Sequence, residues 1–571
     1  MNVQELYSLW MEKAVDDSDL TEELKNVSGQ EEEIYDRFYR ELEFGTAGLR
    51  GVIGAGTNRM NVYTVRRATQ GLCNYLNKQY KNAAVAIAYD SRIKSELFAR
   101  EAARVIAANG ITAYITTELQ PTPFLSFAVR ELHCQSGIVI TASHNPSKYN
   151  GYKCYGEDGC QMTDVAAGKV YDEIQEVDAF TGVKLCGFDE GLDSGGIRLI
   201  GEPVLESYLK NVQEQSINPG VCMDSGLKVV YTPLNGAGNK LVRQVLFRTG
   251  VEDVLIVPEQ ERPDGNFPTC PYPNPEFKEA LQLALDMAKE VKPDLVLATD
   301  PDSDRVGIAV KDGDDYRLMT GNETGLMLID YILSCRKANG TLPERPVAVK
   351  SIVTSEMVGR ICQKYGCELR NVLTGFKYLG EQILNLEKDG EADRFVFAFE
   401  ESYGYLAGTY CRDKDAVVAS MLICEMAAYY RKQGKSLVDV ITGLYEEFGY
   451  YQNTILNFAF EGAAGMQKMQ DIMQNLRQNP PKEVAGLKVV RIADYQASEI
   501  RDLVSGGVTP ITLPKSNVLS YSLAGGPAAI VRPSGTEPKI KVYVTSVGKT
   551  LKDAKEITKT LGGEMTALLG V

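Results

Sequence analysis

The chain has 571 residues and a net charge of −15 at pH 7, which exclude a single small domain and a protein that binds nucleic acids over a broad surface. A chain of this length divides into about four domains, and nucleic-acid binding needs a basic surface that displaces counterions from phosphates. Apolar residues make up 44% of the sequence and charged residues 24%, as in ordinary globular proteins, and a small anionic substrate stays compatible with this charge because it needs only a locally positive cleft.

The N-terminus and the cysteines indicate the compartment. The first residues lack a basic segment followed by an apolar one, and no run of about 18 apolar residues occurs. The 12 cysteines include no CxxC pair, which favours reduced core thiols over disulfides or zinc. We therefore predict a soluble, cytoplasmic protein with no nucleic-acid or membrane partner, and its oligomeric state is left open as monomer or homodimer.

The first predicted elements are acidic helices and a glycine-rich loop. Residues 1–40 are acidic and helix-like, and we predict that they form a surface arm. The loop at 44–51, FGTAGLRG, contains Thr46 and Arg50. Glycine lets backbone N–H groups converge on a ligand, and arginine offers a planar fork suited to phosphate. The loop fits neither the Walker pattern nor the GxGxxG dinucleotide pattern.

The next several hundred residues repeat a unit of three strands connected by helices. The predicted strands lie at 83–90, 111–117 and 136–140 in the first unit, at 227–232, 254–258 and 294–299 in the second, and at 346–350, 368–373 and 394–399 in the third. Strands that alternate with helices indicate βαβ units and largely parallel sheets. We therefore predict three α/β domains.

The third strand of every unit ends in a polar cluster. These clusters are TASHNP at 141–146, DPDSDR at 300–305 and EESYG at 400–404. Open α/β sheets bind ligands at the carboxyl ends of their strands, so we expect the three loops to face one shared cleft.

Ser143 in the first cluster is a candidate nucleophile or phosphate carrier. His144 stands beside it, and Lys148 and Lys153 follow closely. A lone Ser-His pair is more often an ordinary loop. The presence of the other two clusters favours the functional interpretation.

The second cluster presents three alternating carboxylates, those of Asp300, Asp302 and Asp304. They can converge on one hard divalent cation, for which oxygen ligands are suitable. An EF-hand is disfavoured, because Arg305 and Lys311 stand where that loop needs glycine and glutamate. An aspartyl-phosphate phosphatase with Asp300 as nucleophile is a stronger alternative, although the last motif position is Asp304. A solvated acidic turn is disfavoured by the mutual repulsion of the carboxylates.

The third cluster carries candidate sugar contacts. Glu400 and Ser402 are separated by one residue, so they would point to the same side of an extended loop and could bind vicinal hydroxyls. Arg412 and Lys414 follow closely, and Lys377 comes after another predicted strand. A charged turn is the competing interpretation.

The pattern changes after about residue 445. Strands are predicted at 453–458, 487–492, 517–523 and 540–545, with helices at 462–476 and from residue 551. This order predicts a small α+β domain. Its loop at 532–539, RPSGTEPK, combines two cations, two hydroxyls and a glycine, which together suit a phosphate.

Five segments, FGTAGLRG, TASHNP, DPDSDR, FEESYG and RPSGTEPK, resemble the phosphoglucomutase/phosphomannomutase family, the α-D-phosphohexomutases, and follow the family's order. The N-terminal extension is most similar to the larger phosphoglucomutase/phosphopentomutase branch. The resemblance implies three related α/β domains with mixed, largely parallel sheets and a C-terminal α+β domain, TATA-box-binding-protein-like, around a central cleft. We predict domains at 1–210, 211–320, 321–445 and 446–571.

The resemblance also implies roles for individual residues. Ser143 would be the phosphorylated residue, and one of its phosphate oxygens would share Mg²⁺ with the three aspartates, beside Arg305. Pro301 and Ser303 replace glycines that the family often has there. The expected catalytic residues near the reacting phosphoryl group are Ser143, His144, Lys153, Arg50 and Lys414. The expected substrate contacts are Thr46, Lys377, Glu400, Ser402, Arg412, Arg532, Ser534, Gly535, Thr536 and Lys539.

The implied activity is a phosphosugar mutase that interconverts glucose 1-phosphate and glucose 6-phosphate through a phosphoserine enzyme and a bisphosphorylated sugar. Mg²⁺ would be the cofactor and glucose 1,6-bisphosphate the activator. Phosphomannomutase or phosphopentomutase activity on the same scaffold stays open. A metal-dependent sugar phosphatase and a catalytically silent sugar-phosphate sensor are the alternatives from other classes.

Overall fold

Three mixed sheets and one antiparallel sheet form the framework of the chain. The structure is a computed structural model that describes residues 1–45, 48–460, 462–534 and 539–570, with the side chains of 462–464 outside the description. Within these ranges, no helix is long and apolar enough to cross a membrane.

The first sheet has the strand order β1-β5-β4-β2-β3-β6. Its strands are β1 (Leu49–Val52), β2 (Ala84–Tyr89), β3 (Thr112–Thr116), β4 (Ser136–Ile140), β5 (Tyr149–Gly156) and β6 (Ile197–Ile200). Strand β4 is buried at every residue and pairs in parallel with β2, which explains its unbroken apolar run. The accompanying helices are α1 (Val3–Lys13), α2 (Ser18–Asn26), α3 (Glu31–Phe38), α4 (Val62–Gln79), α5 (Ser95–Ala108), α6 (Thr122–Glu131), α7 (Asp164–Gln175), α8 (Phe188–Ser194) and α9 (Glu202–Gln213).

The three N-terminal helices pack into the first core, so the prediction of a surface arm is wrong. Trp10 is 2% exposed, and its ring meets Phe38, Tyr63 and Phe180 edge-on at centroid distances of 5.8, 5.6 and 5.4 Å. The acidic residues that suggested an arm lie on the outer face of amphipathic helices, whose apolar faces are buried.

The second sheet has the order β11-β10-β9-β7-β8 and the third has the order β13-β12-β14-β15. The second unit contains β7 (Lys228–Thr232), β8 (Asp253–Ile256), β9 (Leu295–Thr299), β10 (Val306–Asp312), β11 (Asp315–Met319), α10 (Gly238–Arg248), α11 (Pro258–Glu261) and α12 (Lys278–Val291). The third unit contains α13 (Gly321–Ala338), β12 (Val347–Ser351), α14 (Met357–Tyr365), β13 (Glu368–Val372), α15 (Phe376–Lys388), β14 (Phe395–Glu400), β15 (Gly404–Leu406), α16 (Ala416–Arg431) and α17 (Leu437–Phe448).

The fourth sheet is antiparallel, with the order β16-β23-β22-β21-β18-β19-β20 and β17 paired to β18. Its elements are β16 (Tyr450–Ala459), α18 (Gly462–Gln478), β17 (Glu483–Val484), β18 (Leu487–Asp494), β19 (Glu499–Asp502), β20 (Val508–Pro510), β21 (Leu519–Leu523), β22 (Ala528–Pro533), β23 (Lys539–Gly548) and α19 (Leu551–Leu569). It has its own hydrophobic core. A small apolar patch joins it to the third unit, where Ile352, Val353 and Leu373 contact Val518 and Tyr543.

The predicted fold class of three α/β units followed by a C-terminal α+β unit is confirmed. All nine strands predicted for the three units are present. The sequence pattern does not predict the antiparallel strands β1, β5, β10, β11 and β15 that extend the sheets. Glycines and polar residues interrupt β1 and β5, and β10 follows the acidic loop without a connecting helix.

Candidate active site

Ser143 lies just past the end of β4, in a tight loop that leads into β5. The residue is buried and has a left-handed backbone with φ of 52°, a conformation that is uncommon outside glycine and often marks functional loops. The hydroxyl of Thr141 accepts a hydrogen bond from the Ser143 N–H at 2.8 Å. The Ser143 Oγ donates to Asp300 Oδ2 at 3.0 Å and lies 3.1 Å from His144 Nδ1. The first and second polar clusters therefore meet directly.

The acidic loop follows β9 and turns back into β10. Asp300, Asp302 and Asp304 are buried, and one carboxylate oxygen from each lies within 4.8 Å of the others. Backbone N–H groups of Asp304 and Arg305 donate to Asp300 Oδ1 at 3.1 and 2.9 Å. Burial, and then the charges of Asp302 and Asp304, raise the pKa of Asp300 well above its usual range. Three buried carboxylates in this arrangement repel one another unless positive charge offsets them.

The donor set of the acidic loop fits a divalent cation. Among the described residues, Asp302 Oδ1 and Asp304 Oδ1 are buried and accept no hydrogen bond, although buried carboxylate oxygens are costly to leave unmatched. Carboxylates are the ligands that Mg²⁺ prefers. The cluster could therefore hold a metal ion, which is consistent with the predicted Mg²⁺.

Two lysines approach the aspartates from different elements. Lys153, on β5, donates to Asp302 Oδ2 at 2.9 Å and lies 3.6 Å from Asp304 Oδ2. Lys414 lies 3.1 Å from Asp304 Oδ2 and donates to Asp413 Oδ1 at 2.9 Å. Burial opposes the charge of both lysines, but the neighbouring carboxylates outweigh it and raise the pKa of each. Both lysines are therefore held in the charged form.

His144 has the opposite electrostatic environment. Burial, and then the charges of Arg305 and Arg50, hold the pKa of His144 well below its usual range. Arg50 lies on β1 with an exposed side chain. His144 is therefore neutral at pH 7.

The third cluster lies at the end of β14, close enough to Lys414 for the charges of Glu400 and Lys414 to interact. Glu400 is the last residue of that strand, and its Oε1 accepts a hydrogen bond from the Gly375 N–H at 2.7 Å. Burial, followed by the charge of Glu401, raises the pKa of Glu400 to about 7, against the effect of Lys414. Ser402 is half-buried in the turn that connects β14 to β15.

Lys377 is the second residue of α15, the helix that follows Gly375. Its Nζ lies 2.5 Å from Asp164 Oδ1, at the start of α7, and the hydroxyl of Tyr378 donates to the same carboxylate at 3.3 Å. Gly375 adopts a φ of 122°, which a side chain would not tolerate at this turn. This contact joins the first α/β unit to the third.

Arg412, a predicted substrate contact, pairs with residues outside the three polar clusters. Its fully buried guanidinium donates to Glu387 at 2.8 Å and to the carbonyl of Thr409. Glu387 lies near the C-terminal end of α15, roughly 15 Å along the helix from Lys377 at 1.5 Å per residue. The backbone N–H of Arg412 also donates to Ser126 at 2.8 Å, so Arg412 ties the third unit to the first.

The predicted phosphate loop of the fourth domain is described in part. Arg532, at the end of β22, is half-buried, and the Ser534 N–H donates to the carbonyl of Lys539 at 2.7 Å. Thr46, Gly535 and Thr536 lie outside the described residues.

Sequence reasoning missed Lys541 and Glu276. Lys541 faces Arg532 across the ladder of β22 and β23, and Glu276 lies 3.2 Å from Arg305 Nη1. Burial and then Arg532 lower the pKa of Lys541, against the charges of Glu276 and Glu401. The alternation of Lys539 and Lys541 on β23 was a usable signal for the lysine, because both point away from the core. No local pattern marks Glu276.

Three α/β units thus bring a buried serine, a metal-fitting acidic cluster and a buried glutamate together with buried lysines. Such an arrangement is typical of enzymes that move phosphoryl groups. Family models match residues 41–180, 206–313 and 320–448, as phosphoglucomutase/phosphomannomutase alpha/beta/alpha domains I, II and III, and together they cover more than half of the chain. The chain therefore belongs to the phosphoglucomutase/phosphomannomutase family, and the comparisons indicate a mutase, an isomerase.

Individual relatives agree with this assignment. The chain is 39% identical to a phosphoglucomutase of Staphylococcus saprophyticus over 90% of this chain and 92% of the relative, and 36% identical to one of Staphylococcus aureus MSSA476 over 96% and 97%. The fold is similar to that of a putative phosphomannomutase from Thermus thermophilus, with a TM-score of 0.69, 20% identity and coverage of 93% of this chain and 100% of the other. It is also similar to the phosphoglucomutase pp63/parafusin from Paramecium in its open form, with a TM-score of 0.68, 18% identity and coverage of 93% and 96%.

Proposed function

We propose that this protein interconverts glucose 1-phosphate and glucose 6-phosphate through a phosphoserine at Ser143 and a bisphosphorylated sugar. The observation that carries the proposal is the 3.0 Å hydrogen bond between Ser143 Oγ and Asp300 Oδ2. It brings a nucleophilic oxygen, at the end of a buried strand, to the edge of a metal-fitting carboxylate cluster. Phosphoryl transfer depends mainly on such positioning and on charge stabilisation.

Ser143, Asp300, Asp302 and Asp304 would hold the metal, and we propose Mg²⁺. When bound, it would neutralise negative charge on the transferring phosphoryl group. The unmatched carboxylate oxygens of Asp302 and Asp304 support this assignment. Lys153 and Lys414 are held charged beside the same carboxylates, so they are suited to stabilise phosphoryl oxygens.

In the first half of the reaction, the bond between phosphorus and Ser143 Oγ breaks as a bond to a sugar hydroxyl forms. The hydroxyl proton needs an acceptor in the cleft. His144 is neutral and its Nδ1 lies 3.1 Å from Ser143 Oγ, so we propose that His144 passes this proton to Ser143 Oγ, the oxygen that loses its bond to phosphorus. Arg50, whose charge reaches His144, would stabilise the reacting group.

Substrate recognition falls to the third and fourth domains in this proposal. Glu400, with Ser402, would accept hydrogen bonds from sugar hydroxyls, and Lys377 would contact the substrate at the start of α15. Arg532, Ser534 and Lys539, with Lys541 opposite Arg532, would bind the phosphate that does not react. Two phosphate subsites are required, because the bisphosphate must turn over before its second phosphate returns to Ser143.

Further features of the proposal concern organisation. We propose domains at 1–210, 211–320, 321–445 and 446–571, a division supported by the fact that each range contains one of the four sheets. We also propose that glucose 1,6-bisphosphate activates the enzyme by phosphorylating Ser143. A cytoplasmic location and a monomeric or homodimeric state complete the proposal.

A coupled assay tests the function. The assay follows glucose 6-phosphate formed from glucose 1-phosphate with Mg²⁺ and a trace of glucose 1,6-bisphosphate, and compares the wild type with Ser143→Ala. Ser136→Ala is the matched control, because Ser136 is a buried serine at the start of β4, the strand that leads to Ser143, and its hydroxyl donates to the Tyr155 carbonyl at 2.8 Å.

We expect Ser143→Ala to lose turnover and Ser136→Ala to keep it. Release of free phosphate that persists in Ser143→Ala would favour the phosphatase alternative, with Asp300 as nucleophile. Turnover only with mannose or pentose phosphates would keep the mutase and change its substrate.

A further inference from the structure

Arg92 lies beneath the Ser143 loop and binds its backbone. The side chain is completely buried, just past the end of β2. Its Nη1 donates to the carbonyls of Pro146 and Tyr149 at 3.0 and 3.1 Å. Its Nη2 donates to the carbonyls of Ser143 and Asn145. One guanidinium thus gathers four carbonyl oxygens of the loop that carries the nucleophile.

The loop needs such support because its conformation is unfavourable by itself. A left-handed backbone at a residue such as Ser143 costs free energy and persists only where surrounding contacts fix it. Asp90 supplies a second set of contacts: it accepts hydrogen bonds from Thr141 Oγ1 at 2.6 Å, from the Arg92 N–H at 2.9 Å and from Ser95 Oγ at 2.8 Å. It also lies 3.3 Å from Arg92 Nε, so the buried cation is paired.

A segment of the second domain covers Arg92 from the other side. The guanidinium carbon lies 5.1 Å from the ring centre of Phe267, which is buried, in the range of a cation–π contact. Gly265 forms a backbone bridge with Arg92. A Cβ at Gly265 would collide with the backbone nitrogen of Ile93, so the approach requires glycine.

The same two domains also meet at the metal-fitting loop. Thr122, at the start of α6, donates twice to Asp302: its N–H to the carbonyl at 2.9 Å and its Oγ1 to Oδ2 at 3.0 Å. The serine loop is therefore fixed to the second domain through Arg92 and Phe267, and the acidic loop is fixed to the first domain through Thr122. The two halves of the site are assembled as one unit.

We propose that Arg92 is a positioning residue for phosphoryl transfer, held in place by Phe267 of the second domain, and that it sets the position of Ser143 relative to Asp300. The inference rests on the proposed function of Ser143. Lysine at position 92 would keep the charge but lose the fork that reaches four carbonyls. The expected defect lies in the transfer step, because Arg92 is completely buried and contacts the backbone of the Ser143 loop.

Three variants test the inference: Arg92→Lys, Phe267→Leu and the control Arg66→Lys. Arg66 is a buried arginine of the same domain, paired with Asp16 and Glu101, so its replacement reports the general cost of altering a buried ion pair. Each variant is measured for its thermal midpoint, for kcat and KM per folded molecule, and in a single turnover of the isolated phosphoserine enzyme with glucose 1-phosphate. That turnover also gives the share of phosphoryl groups released to water.

We expect Arg92→Lys to lower kcat by about 100-fold with little change in KM, since a displacement near 1 Å costs about that much. Phe267→Leu keeps an apolar side chain but removes the aromatic ring that contacts Arg92, so it should lower kcat by roughly tenfold. Both should release a larger share of phosphate to water, while Arg66→Lys should lower the thermal midpoint and keep kcat. If the wild type turns over and both Arg92→Lys and Phe267→Leu transfer the phosphoryl group as it does, the inference is overturned and the proposed function stands. The same holds if Arg66→Lys loses as much kcat as these two variants. A wild type without turnover would overturn the proposed function and this inference with it.

Discussion

Replacing Glu400 with glutamine tests whether an ionised carboxylate at this position binds the sugar. The pKa of Glu400 stands at about 7, against a usual 4.5, because burial and Glu401 disfavour its charge. The difference corresponds to about 3 kcal/mol that the folded protein must supply to ionise the group. Hydrogen bonds from sugar hydroxyls to the carboxylate are strongest when it is charged, so kcat/KM should rise as the pH increases through about 7.

The assay is the pH profile of kcat/KM between about pH 5.5 and 8.5 for the wild type, Glu400→Gln and Glu401→Gln. Hydrogen bonds to a charged group contribute about 1.5–3 kcal/mol, so Glu400→Gln should lower kcat/KM by about 10- to 100-fold at about pH 8. It should also remove the limb of the pH profile near pH 7, that is, the rise of kcat/KM as Glu400 ionises. The weaker rise near about pH 6, which the ionisation of the substrate phosphate produces, should stay. Glu401→Gln removes a like charge and should move the limb to lower pH.

Stability should change with pH in the opposite direction. Because the pKa of Glu400 is higher in the folded state, its contribution is fully present below about pH 4.5 and is lost as the pH rises through about 7. The wild type should therefore lose more thermal stability than Glu400→Gln between about pH 5.5 and 8. A limb near pH 7 that persists in Glu400→Gln, or a wild type with no limb there, would refute the reasoning.

Two further predictions concern the metal and Arg412. Chelation with EDTA should abolish turnover, and added Mg²⁺ should restore it. Asp304→Asn should raise the Mg²⁺ concentration for half-maximal activity by more than about tenfold. If the Mg²⁺ titrations of the variant and the wild type superimpose, Asp304 is excluded from the metal site. Arg412→Met should lower the free energy of unfolding, measured by chemical denaturation, by about 1–3 kcal/mol, because it removes the hydrogen bonds to Glu387 and Thr409. Its KM should stay unchanged. A KM of the folded variant that rises severalfold would return Arg412 to the substrate site.

The parts of the site that the sequence predicts are those encoded by a strand and the residues that follow it. Ser143, Asp300 and Glu400 each come at or just after the end of an apolar run, and the carboxyl ends of such strands face the ligand side of a sheet. Local pattern therefore places the reactive groups. It also predicts the fold class, because alternating strands and helices allow few topologies.

The parts that the sequence does not predict depend on contacts between distant segments. Arg92 contacts Phe267, and Glu276 contacts Arg305, through pairs that no periodicity marks. Arg412 shows the converse case. It lies two residues before Lys414 and carries the right charge, but the fold directs its guanidinium toward Glu387.

The lysines and the metal-fitting loop share the same carboxylates, which links the two sources of positive charge in the site. Asp302 accepts from Lys153, and Asp304 lies beside Lys414, through one oxygen each. Among the described residues, the second oxygen of each carboxylate accepts no hydrogen bond, although that of Asp304 lies 3.8 Å from Arg305 Nε. A cation at those oxygens would therefore add to the lysines without displacing them. In the proposed reaction, such a site concentrates positive charge where one phosphoryl group would leave Ser143 and the other phosphate of the bisphosphate would later be transferred to it. The residues that supply this charge are fixed in advance of the reaction.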